Sequence, residues 1–385
     1  MPDRSTTPTG SGAAADLVED GATADRIVSD TGSGHTGAGD SSPAGHRAAV
    51  TVPGPRNGKA EAPARRLSVP GWVSTLSARY ALIGVWALMA LYFYLRVPEL
   101  FGTHATFSSI FGSQQVQVFL AMSALTTLVV GEFDLSVASV MGMTATTIPV
   151  LVAEHGVSVP LACLIGVGVA VLAGVVNAFF VVVMNVSSFV VTLGMGTLLT
   201  GLAQMVSHTN IVSMNSPKLA DISIKEIFGM PVSFYYGIVL ALIFAYVLAW
   251  TPLGRSMIFV GSNREVARLA GIRVQRVRFG AYVVGGLLAG LAGLILVATV
   301  GGFDSSTSTT YLLPALAAVF LGTAVVQPGV FNPIGTMIAI YFLTTGIFGL
   351  QLLGYSGWIQ NVFYGAGLVV AVALAKVVRD RSKTA

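Results

Sequence analysis

The chain has 385 residues, of which 54% are hydrophobic and 10% are charged, and it contains 44 glycines. Together with a mean hydropathy of +0.77, this composition excludes an ordinary soluble domain and indicates an integral membrane protein. The net charge of +4 does not indicate a nucleic-acid partner, because the basic residues lie at the ends of apolar segments, where a membrane accounts for them.

The first 79 residues differ from the rest of the chain. They are rich in Gly, Ala, Ser, Thr, Pro and Asp and show no hydrophobic periodicity, so residues 1–79 are predicted to form a disordered N-terminal tail. The tail is not a signal peptide, since no apolar stretch follows Arg4. Arg65, Arg66 and Arg79 precede the first apolar run and favour a cytoplasmic N-terminus.

The region from 80 to 376 is predicted to be a transmembrane domain. Hydropathy gives about ten membrane-spanning helices there, so the predicted fold class is an all-α integral membrane protein. We expect the short eighth span to be broken or to cross only part of the bilayer. Ten spans and an N-terminus inside also place the C-terminal tail, 377–385, in the cytoplasm. The predicted spans are 80–97, 113–131, 135–153, 158–184, 188–208, 233–250, 279–300, 312–326, 332–350 and 356–376.

The segment TPLGRSMIFVGSNREVARLAGIRVQRVR, residues 251–278, is the most basic part of this domain. It contains six arginines and a single acid, Glu265. Short loops rich in Lys and Arg stay on the cytoplasmic side of a membrane, so this segment is predicted to be a cytoplasmic loop. Its arginines are Arg255, Arg264, Arg268, Arg273, Arg276 and Arg278.

Within this segment the sequence predicts a helix of about two turns, from roughly Asn263 to Ala270. Ser262, three residues before Glu265, is a capping-box signature, and Gly271 is a typical helix stop. So short a helix is not stable alone in water, and we expect it to dock on another surface. The alternative is a positive loop that only fixes topology. One face is predicted to carry Arg264 and Arg268, and another Val266, Leu269 and Ala270.

The sequence does not favour an enzyme. The membrane region has no His cluster, no second cysteine besides Cys163 and no carboxylates at metal-ligand spacing, so we predict neither catalytic residues nor a metal site. Gly58-Lys59-Ala60 lacks the upstream glycine and the hydroxyl residue that a phosphate-binding loop needs. If the protein uses ATP, another chain must bind it.

Glu132 and Asp134 are the candidates for coupling transport to an ion gradient, since ion-coupled carriers place ionisable residues within the membrane. Asp134, with Ser136 nearby, is interpreted as the N-cap of the helix that follows, and a coupling carboxylate is the alternative. Glu132 has no comparable explanation from the sequence.

Polar residues within the predicted spans are candidates for a solute pathway. A sugar-like solute requires hydroxyl and amide partners, whereas the same side chains can also bond within the helix bundle. The candidates are Asn177, Ser188, Thr192, Gln204, Thr344, Thr345, Gln360 and Asn361.

Glycines recur in three of the spans, where they provide small faces. They predict close helix packing rather than a direct part in function. These glycines are Gly166, Gly168, Gly174, Gly194, Gly196, Gly201, Gly285, Gly286, Gly290 and Gly293.

Several stretches resemble the permease subunits of ribose-type ATP-binding-cassette importers, the simple-sugar branch. The resemblance runs in order over roughly residues 80–376 and departs from the family pattern at Glu132-Phe133, where a small or apolar pair is usual. The stretches are GEFDLSVASVMGM at 131–143, GVVNAFFVVVMNVSSFVVTLGM at 174–195, TPLGRSMIFVGSNREVARLAGI at 251–272, LPALAAVFLGT at 313–323 and NPIGT at 332–336.

This resemblance implies a type II importer permease in the bacterial inner membrane. It also implies a second permease subunit around a central path, two cytoplasmic ATPases that bind ATP and Mg, and an extracytoplasmic solute-binding protein. No cofactor is expected on this chain itself. The implied function is the import of a monosaccharide or a similar small polar solute, and a stand-alone carrier or channel is the alternative.

The resemblance further implies a role for the short helix in the basic segment. In the family, the region matching 261–272 is a coupling helix that fits a groove on the ATPase. The coupling residues expected on this ground are Ser262, Asn263, Arg264, Glu265, Ala267, Arg268, Leu269 and Gly271.

Overall fold

A computed structural model describes the backbone of residues 71–384 and the side chains of residues 80–373. Most of the predicted N-terminal tail, residues 1–70, therefore lies outside the described residues.

The described part of the chain is built from α-helices and two short β-ladders. In chain order the helices are α1 (Gly71–Arg96), α2 (Pro98–Phe101), α3 (His104–Gly112), α4 (Gln115–Val129), α5 (Val137–Ala153), α6 (Val159–Ala178), α7 (Ser188–Val206), α8 (Pro217–Ile224), α9 (Val232–Trp250), α10 (Pro252–Ser262), α11 (Arg264–Leu269), α12 (Val274–Val300), α13 (Leu312–Gly322), α14 (Pro333–Leu352) and α15 (Trp358–Thr384).

Shorter elements connect these helices. A π-helical turn, Phe179–Val183, extends α6, and a 3-10 helix, Ser305–Tyr311, precedes α13. Strand β1 (Val212–Ser213) pairs antiparallel with β4 (Gly302–Phe303), and β2 (Glu226–Ile227) pairs antiparallel with β3 (Met230–Pro231).

Each predicted span coincides with a helix, which confirms the all-α fold class. In the described region, five helices are long and apolar enough to cross a membrane: α6 with its π-helical turn, α7, α9, α12 and α14. The count of ten spans stays a prediction. Helix α13 has 11 residues and is about 16 Å long, which is too short for a hydrocarbon core of roughly 30 Å.

Helix α4 lies at the centre of the bundle. Every residue from Gln115 to Val129 is buried, as expected for a helix with apolar or small residues on nearly every side. Helices α5, α12 and α13 pack around it, and their inward faces are also buried.

Glycines allow α6 and α12 to pack backbone to backbone. A Cβ on Gly174 would lie 2.6 Å from the Tyr282 carbonyl oxygen, and one on Gly286 would lie 2.6 Å from that of Ala170. The prediction of glycine-mediated packing is therefore confirmed for this helix pair. Gly168, Gly194 and Gly201 do not pack in this way within the described part of the chain, since none of its atoms lies within 4 Å of a Cβ added there.

The periphery of the bundle is strongly apolar. On α6, α7 and α9 the side chains of Leu164, Leu198 and Trp250 are 69%, 54% and 76% exposed. Surfaces of this kind are rare on soluble monomers and suit contact with lipid or with other membrane helices.

Three helix boundaries differ from those predicted. Helix α1 begins at Gly71 and not near residue 80, since a helix fixed by an apolar run extends cheaply through neighbouring residues. Helix α12 begins at Val274 and includes Arg276 and Arg278, so the basic segment is mostly helical and not a loop. Helix α15 continues through the predicted tail to Thr384.

The 3-10 helix is capped at its N-terminus by Asp304. The carboxylate of Asp304 accepts hydrogen bonds from the Ser306 hydroxyl (2.7 Å) and the Ser306 backbone N–H (2.9 Å). These bonds stabilise the charged form and lower the pKa of this carboxyl group. The cap fixes the chain where it enters α13.

Candidate interaction site at the arginine-rich segment

Helix α10 places the basic segment against the end of the central helix. The Thr251 hydroxyl caps α10 by accepting a hydrogen bond from the Gly254 N–H at 3.2 Å, and Pro252 occupies its first turn. At the other end, a Cβ on Gly261 would collide with the Val129 carbonyl oxygen of α4. The glycine thus allows α10 to end directly on α4.

The N-terminal cap of α11 is Asn263, whose side-chain oxygen accepts from the N–H groups of Glu265 and Val266 at 3.1 Å each. The predicted Ser262–Glu265 capping box is therefore wrong. Ser262 is still the last residue of α10, and its hydroxyl donates back to the Phe259 carbonyl at 2.9 Å. Both residues are good caps, and the end of α10 decides between them.

The C-terminal stop at Gly271 is confirmed. Its φ of 80° is left-handed, a conformation that glycine adopts without strain. The Ile272 N–H bonds the Ala267 carbonyl and the Gly271 N–H bonds the Arg268 carbonyl, each at 3.0 Å. This pair of bonds is a Schellman motif. The predicted helix of 263–270 thus exists as Arg264–Leu269, capped at both ends.

The outer face of α11 is open. Ala267 is fully buried against the protein, whereas Leu269 is 84% exposed. Arg268 and Glu265 form an ion pair at 3.1 Å with side chains 72% and 74% exposed, and such exposed pairs contribute little stability. Charged and apolar side chains therefore project together from a short helix, and the apolar face predicted from Val266 and Leu269 is not covered in the described chain.

The two arginines predicted to share a face diverge. Arg264 turns inward, and its Nη2 donates to the Gly131 carbonyl at 2.9 Å and to Glu132 Oε1 at 2.7 Å. Arg268 stays on the outer side with Glu265. Arg264 is thus an anchor between α11 and the connection from α4 to α5.

Glu132 binds a second arginine, which comes from the first turns of α12. Arg278 Nε donates to Glu132 Oε1 at 2.7 Å, and its Nη2 reaches the Val181 carbonyl at 3.4 Å. The side chains of Arg278 and Glu132 are only 9% and 4% exposed. A carboxylate so deeply buried needs paired charges, and two arginines supply them. We call Glu132, Arg264 and Arg278 the Glu132 cluster.

Glu132 lies in a non-helical connection between α4 and α5, residues 131–136, which several hydrogen bonds hold in place. Asp134 Oδ1 accepts from the Ser136 hydroxyl (2.6 Å) and N–H (2.9 Å), and the Asn177 amide donates to the Ser136 hydroxyl at 2.8 Å. The cap position of α5 is Ser136, so the interpretation of Asp134 as the N-cap is wrong by two residues. Its carboxylate still satisfies a backbone N–H beside the helix start.

Three of the predicted pathway residues lie around this connection. Thr192 accepts from the Leu135 N–H at 3.1 Å, Ser188 lies 3.5 Å from the Phe133 nitrogen, and Asn177 is 1% exposed. Gln204 is half-buried farther along α7, and Asn361 is exposed on α15. The structure thus brings Asn177, Ser188 and Thr192 together at the connection and leaves Gln204 and Asn361 elsewhere. A contact of any of the eight pathway candidates with solute stays a prediction.

The Glu132 cluster was not predicted from the sequence. The available signal was the combination of an acid in an apolar region, Glu132, with a surplus of arginines in the 251–278 segment. Its two partners lie 132 and 146 residues away along the chain, and local patterns do not show such pairing.

Residues 106–372 match the family described as "Branched-chain amino acid transport system / permease component". The chain is 28% identical to a probable ABC transporter permease protein, y4mJ, of Sinorhizobium fredii, over 81% of this chain and 93% of that protein. It is 29% identical to the probable ABC transporter permease protein YphD of Escherichia coli, over 83% and 96% of the two chains.

The autoinducer 2 import system permease protein LsrC of Salmonella paratyphi B is also similar. It is 31% identical over 69% of this chain and 76% of that protein. No solved structure matches the chain.

Proposed function

The chain belongs to the branched-chain amino acid transport system / permease component family, and from that premise we propose that it is the permease subunit of an ATP-binding-cassette importer for a monosaccharide or a similar small polar solute. The similar proteins, which include probable ABC transporter permeases and an autoinducer 2 import permease, support this proposal.

The proposal depends on one observation: α11 is held firmly in place but leaves its outer side chains exposed. The helix is capped at both ends and held from below by Arg264 and Ala267, yet its Arg268 and Leu269 project outward. A helix of six residues is too short to be stable by itself in water, so contacts with other parts of the protein or a partner must hold it. Its rigid presentation of mixed charged and apolar side chains suits docking in a groove of a partner protein.

The partner at α11 is a cassette ATPase, and two such ATPases bind ATP and Mg while this chain binds no cofactor. A second permease subunit, either a copy of this chain or a related one, covers part of the apolar periphery. An extracytoplasmic solute-binding protein delivers the solute. The family and the similarity to an import system permease support this assembly in general form.

The proposed topology has ten spans in the bacterial inner membrane, with both termini in the cytoplasm. The excess of arginine around α10, α11 and the start of α12 supports this orientation, because positive residues stay on the cytoplasmic side. The coupling residues Ser262, Asn263, Arg264, Glu265, Ala267, Arg268, Leu269 and Gly271 then lie at the cytoplasmic face.

The Glu132 cluster gives this arrangement a mechanical path. When the ATPases close on ATP, they displace α11, and Arg264 transmits the displacement to Glu132. Glu132 passes it to α12 through Arg278 and to the connection between α4 and α5 through its own backbone. Rigid helices joined by a buried ion cluster move together, which allows the bundle to alternate between inward and outward access.

The test is the substitution Arg268→Glu, which we expect to abolish ATP-driven solute uptake. A reversed charge inside an interface costs several kcal/mol, whereas Arg268 is 72% exposed in this chain and its replacement leaves the fold intact. Two quantities are measured: solute uptake in cells, and the amount of ATPase that co-purifies with the permease.

The matched control is Arg96→Glu, the same change at an exposed arginine that lies beside Leu353 and Gly354, away from α11. We expect this variant to transport normally and to retain the ATPase. Normal uptake by the Arg268→Glu variant, or equal loss in both variants, would count against the proposal.

A further inference from the structure

A polar cavity opens at the N-terminal end of α4, away from the arginine-rich segment. Its volume is about 530 Å³, which lies within the range of small-molecule sites. The walls come from the start of α4, the 3-10 helix, the end of α14 and the start of α15. Gln117 in this cavity lies twelve residues before Val129, so about 18 Å of helix separates it from the end of α4 near α11.

The walls carry no formal charge. Amide, hydroxyl and aromatic groups line the cavity beside a few aliphatic side chains, and none of its lining residues in the described chain is Asp, Glu, Lys, Arg or His. Amides and hydroxyls both donate and accept hydrogen bonds, and half-buried aromatic rings offer flat apolar surfaces. The lining residues that carry the argument are Gln117, Thr310, Tyr311, Thr344, Gln360 and Tyr364.

Gln117 is a second, independent sign of a ligand. It is 9% exposed, and its Nε2 has no hydrogen-bond partner among the described residues. A buried amide donor left unpaired costs about 1–3 kcal/mol, and an ordered water or a ligand can satisfy it where the protein offers no acceptor. Because Gln117 lines the cavity, a molecule held there can accept its hydrogen bond.

We propose that this cavity binds a neutral, polyhydroxylated solute of monosaccharide size on its way through the permease. The inference rests on the proposed transport function and assigns that function a solute site lined by this chain. The amide of Gln117 and the hydroxyl of Thr344 hold the solute at the buried end. The rings of Tyr311 and Tyr364 pack against its apolar ring faces, and Gln360 lies at the exposed mouth.

The same walls argue against a zwitterion. An amino acid brings an ammonium and a carboxylate, and transferring these charges into the cavity without an opposite charge is costly. Its lining provides no such charge in the described residues. The site therefore discriminates against amino acids, although the family description names them.

The experiment uses the full chain in lipid nanodiscs with ligand-observed saturation-transfer NMR. The probes are D-ribose, D-glucose and myo-inositol, with L-leucine as the zwitterionic comparison. We expect saturable binding of at least one polyol and no binding of L-leucine. Gln117→Leu and the nearly isosteric Thr344→Val should each weaken the polyol's Kd roughly tenfold, as expected for the loss of a buried hydrogen bond.

The matched control is Gln115→Leu, the same change on the same helix. Gln115 is 4% exposed and does not line the cavity, so its replacement should leave the Kd unchanged. If Gln117→Leu does not fold, the test uses the Thr344→Val variant and the preference of the unaltered chain for polyols over L-leucine.

Three results would overturn the inference: no saturable polyol binding, which would mean a water-filled vestibule; L-leucine binding as tight as polyol binding; or an effect of Gln115→Leu equal to that of the two cavity variants. The retention of the ATPase by the permease does not involve this cavity. A negative result here would therefore leave the proposed importer assembly intact. Failure of that assembly would be recognised separately, by the absence of ATPase from the purified permease.

Discussion

Glu132 is the residue on which the arginine-rich segment depends. It is 4% exposed and pairs with Arg264 from α11 and Arg278 from α12. Asp134, two residues later, has a local role with Ser136.

Replacing Glu132 tests the strength of that link. Glu132→Leu leaves Arg278 buried without a counter-charge, and we expect a loss of about 3–5 kcal/mol in the free energy of unfolding. The matched change Glu265→Leu breaks an exposed pair and should cost less than about 1 kcal/mol. Thermal unfolding in nanodiscs measures both, and equal melting temperatures for the two variants would refute the role of Glu132.

The sequence carried part of this information. It identified Glu132 as an acid that no local pattern explains, and it predicts that the arginines lie on one side of the membrane. It did not identify their partners, because pairing across more than a hundred residues depends on how α4, α11 and α12 meet. Likewise, Asn177 and Thr192 were identified as polar residues within spans, yet only the packed bundle shows their bonds to the 131–136 connection.

Helix α11 illustrates how neighbouring elements set a helix boundary. Ser262 and Asn263 are both suited to cap it, and the sequence alone favoured Ser262 because Glu265 follows at capping-box spacing. Helix α10, however, extends through Ser262, and Gly261 packs on the Val129 carbonyl. This long-range contact fixes the end of α10 and leaves Asn263 as the cap.

The capping assignment predicts unequal effects of two alanine substitutions. Asn263→Ala removes two cap hydrogen bonds and should cost about 1 kcal/mol, which loosens α11 and weakens retention of the ATPase. Ser262→Ala removes only a bond to the Phe259 carbonyl and should have little effect. Hydrogen exchange of the α11 amides compares the two variants, and faster exchange in Ser262→Ala than in Asn263→Ala would contradict the assignment.

The long helices were the most predictable elements, because uninterrupted apolar runs give a strong signal regardless of context. Their contacts were less predictable. Gly174 and Gly286 do face each other's helices, but Gly194 and Gly201 lie on an open face of α7. Which side of a uniformly apolar helix packs inward depends on its partners, and these do not appear in the local sequence.

Taken together, the protein has two functional ends joined by the central helix α4. In the proposed assembly, α11 presents its exposed side chains to an ATPase at one end, and at the other a polar cavity offers neutral hydrogen-bonding groups to a solute. The Glu132 cluster lies at the first end, where it ties α11 to α12 and to the connection before α5. In this account, ATP-driven movement of α11 changes the access of solute at the opposite end.

The most direct test of the account is chemical cross-linking from Leu269, which is 84% exposed on α11. The full sequence has one cysteine, so a Cys163→Ser background allows Leu269→Cys to be compared with Leu95→Cys, at a position that is 70% exposed on α1. A thiol-specific cross-linker should join position 269, and not position 95, to the cassette ATPase in intact membranes. Failure of position 269 to cross-link, or its labelling by an impermeant thiol reagent added outside the cell, would contradict the account.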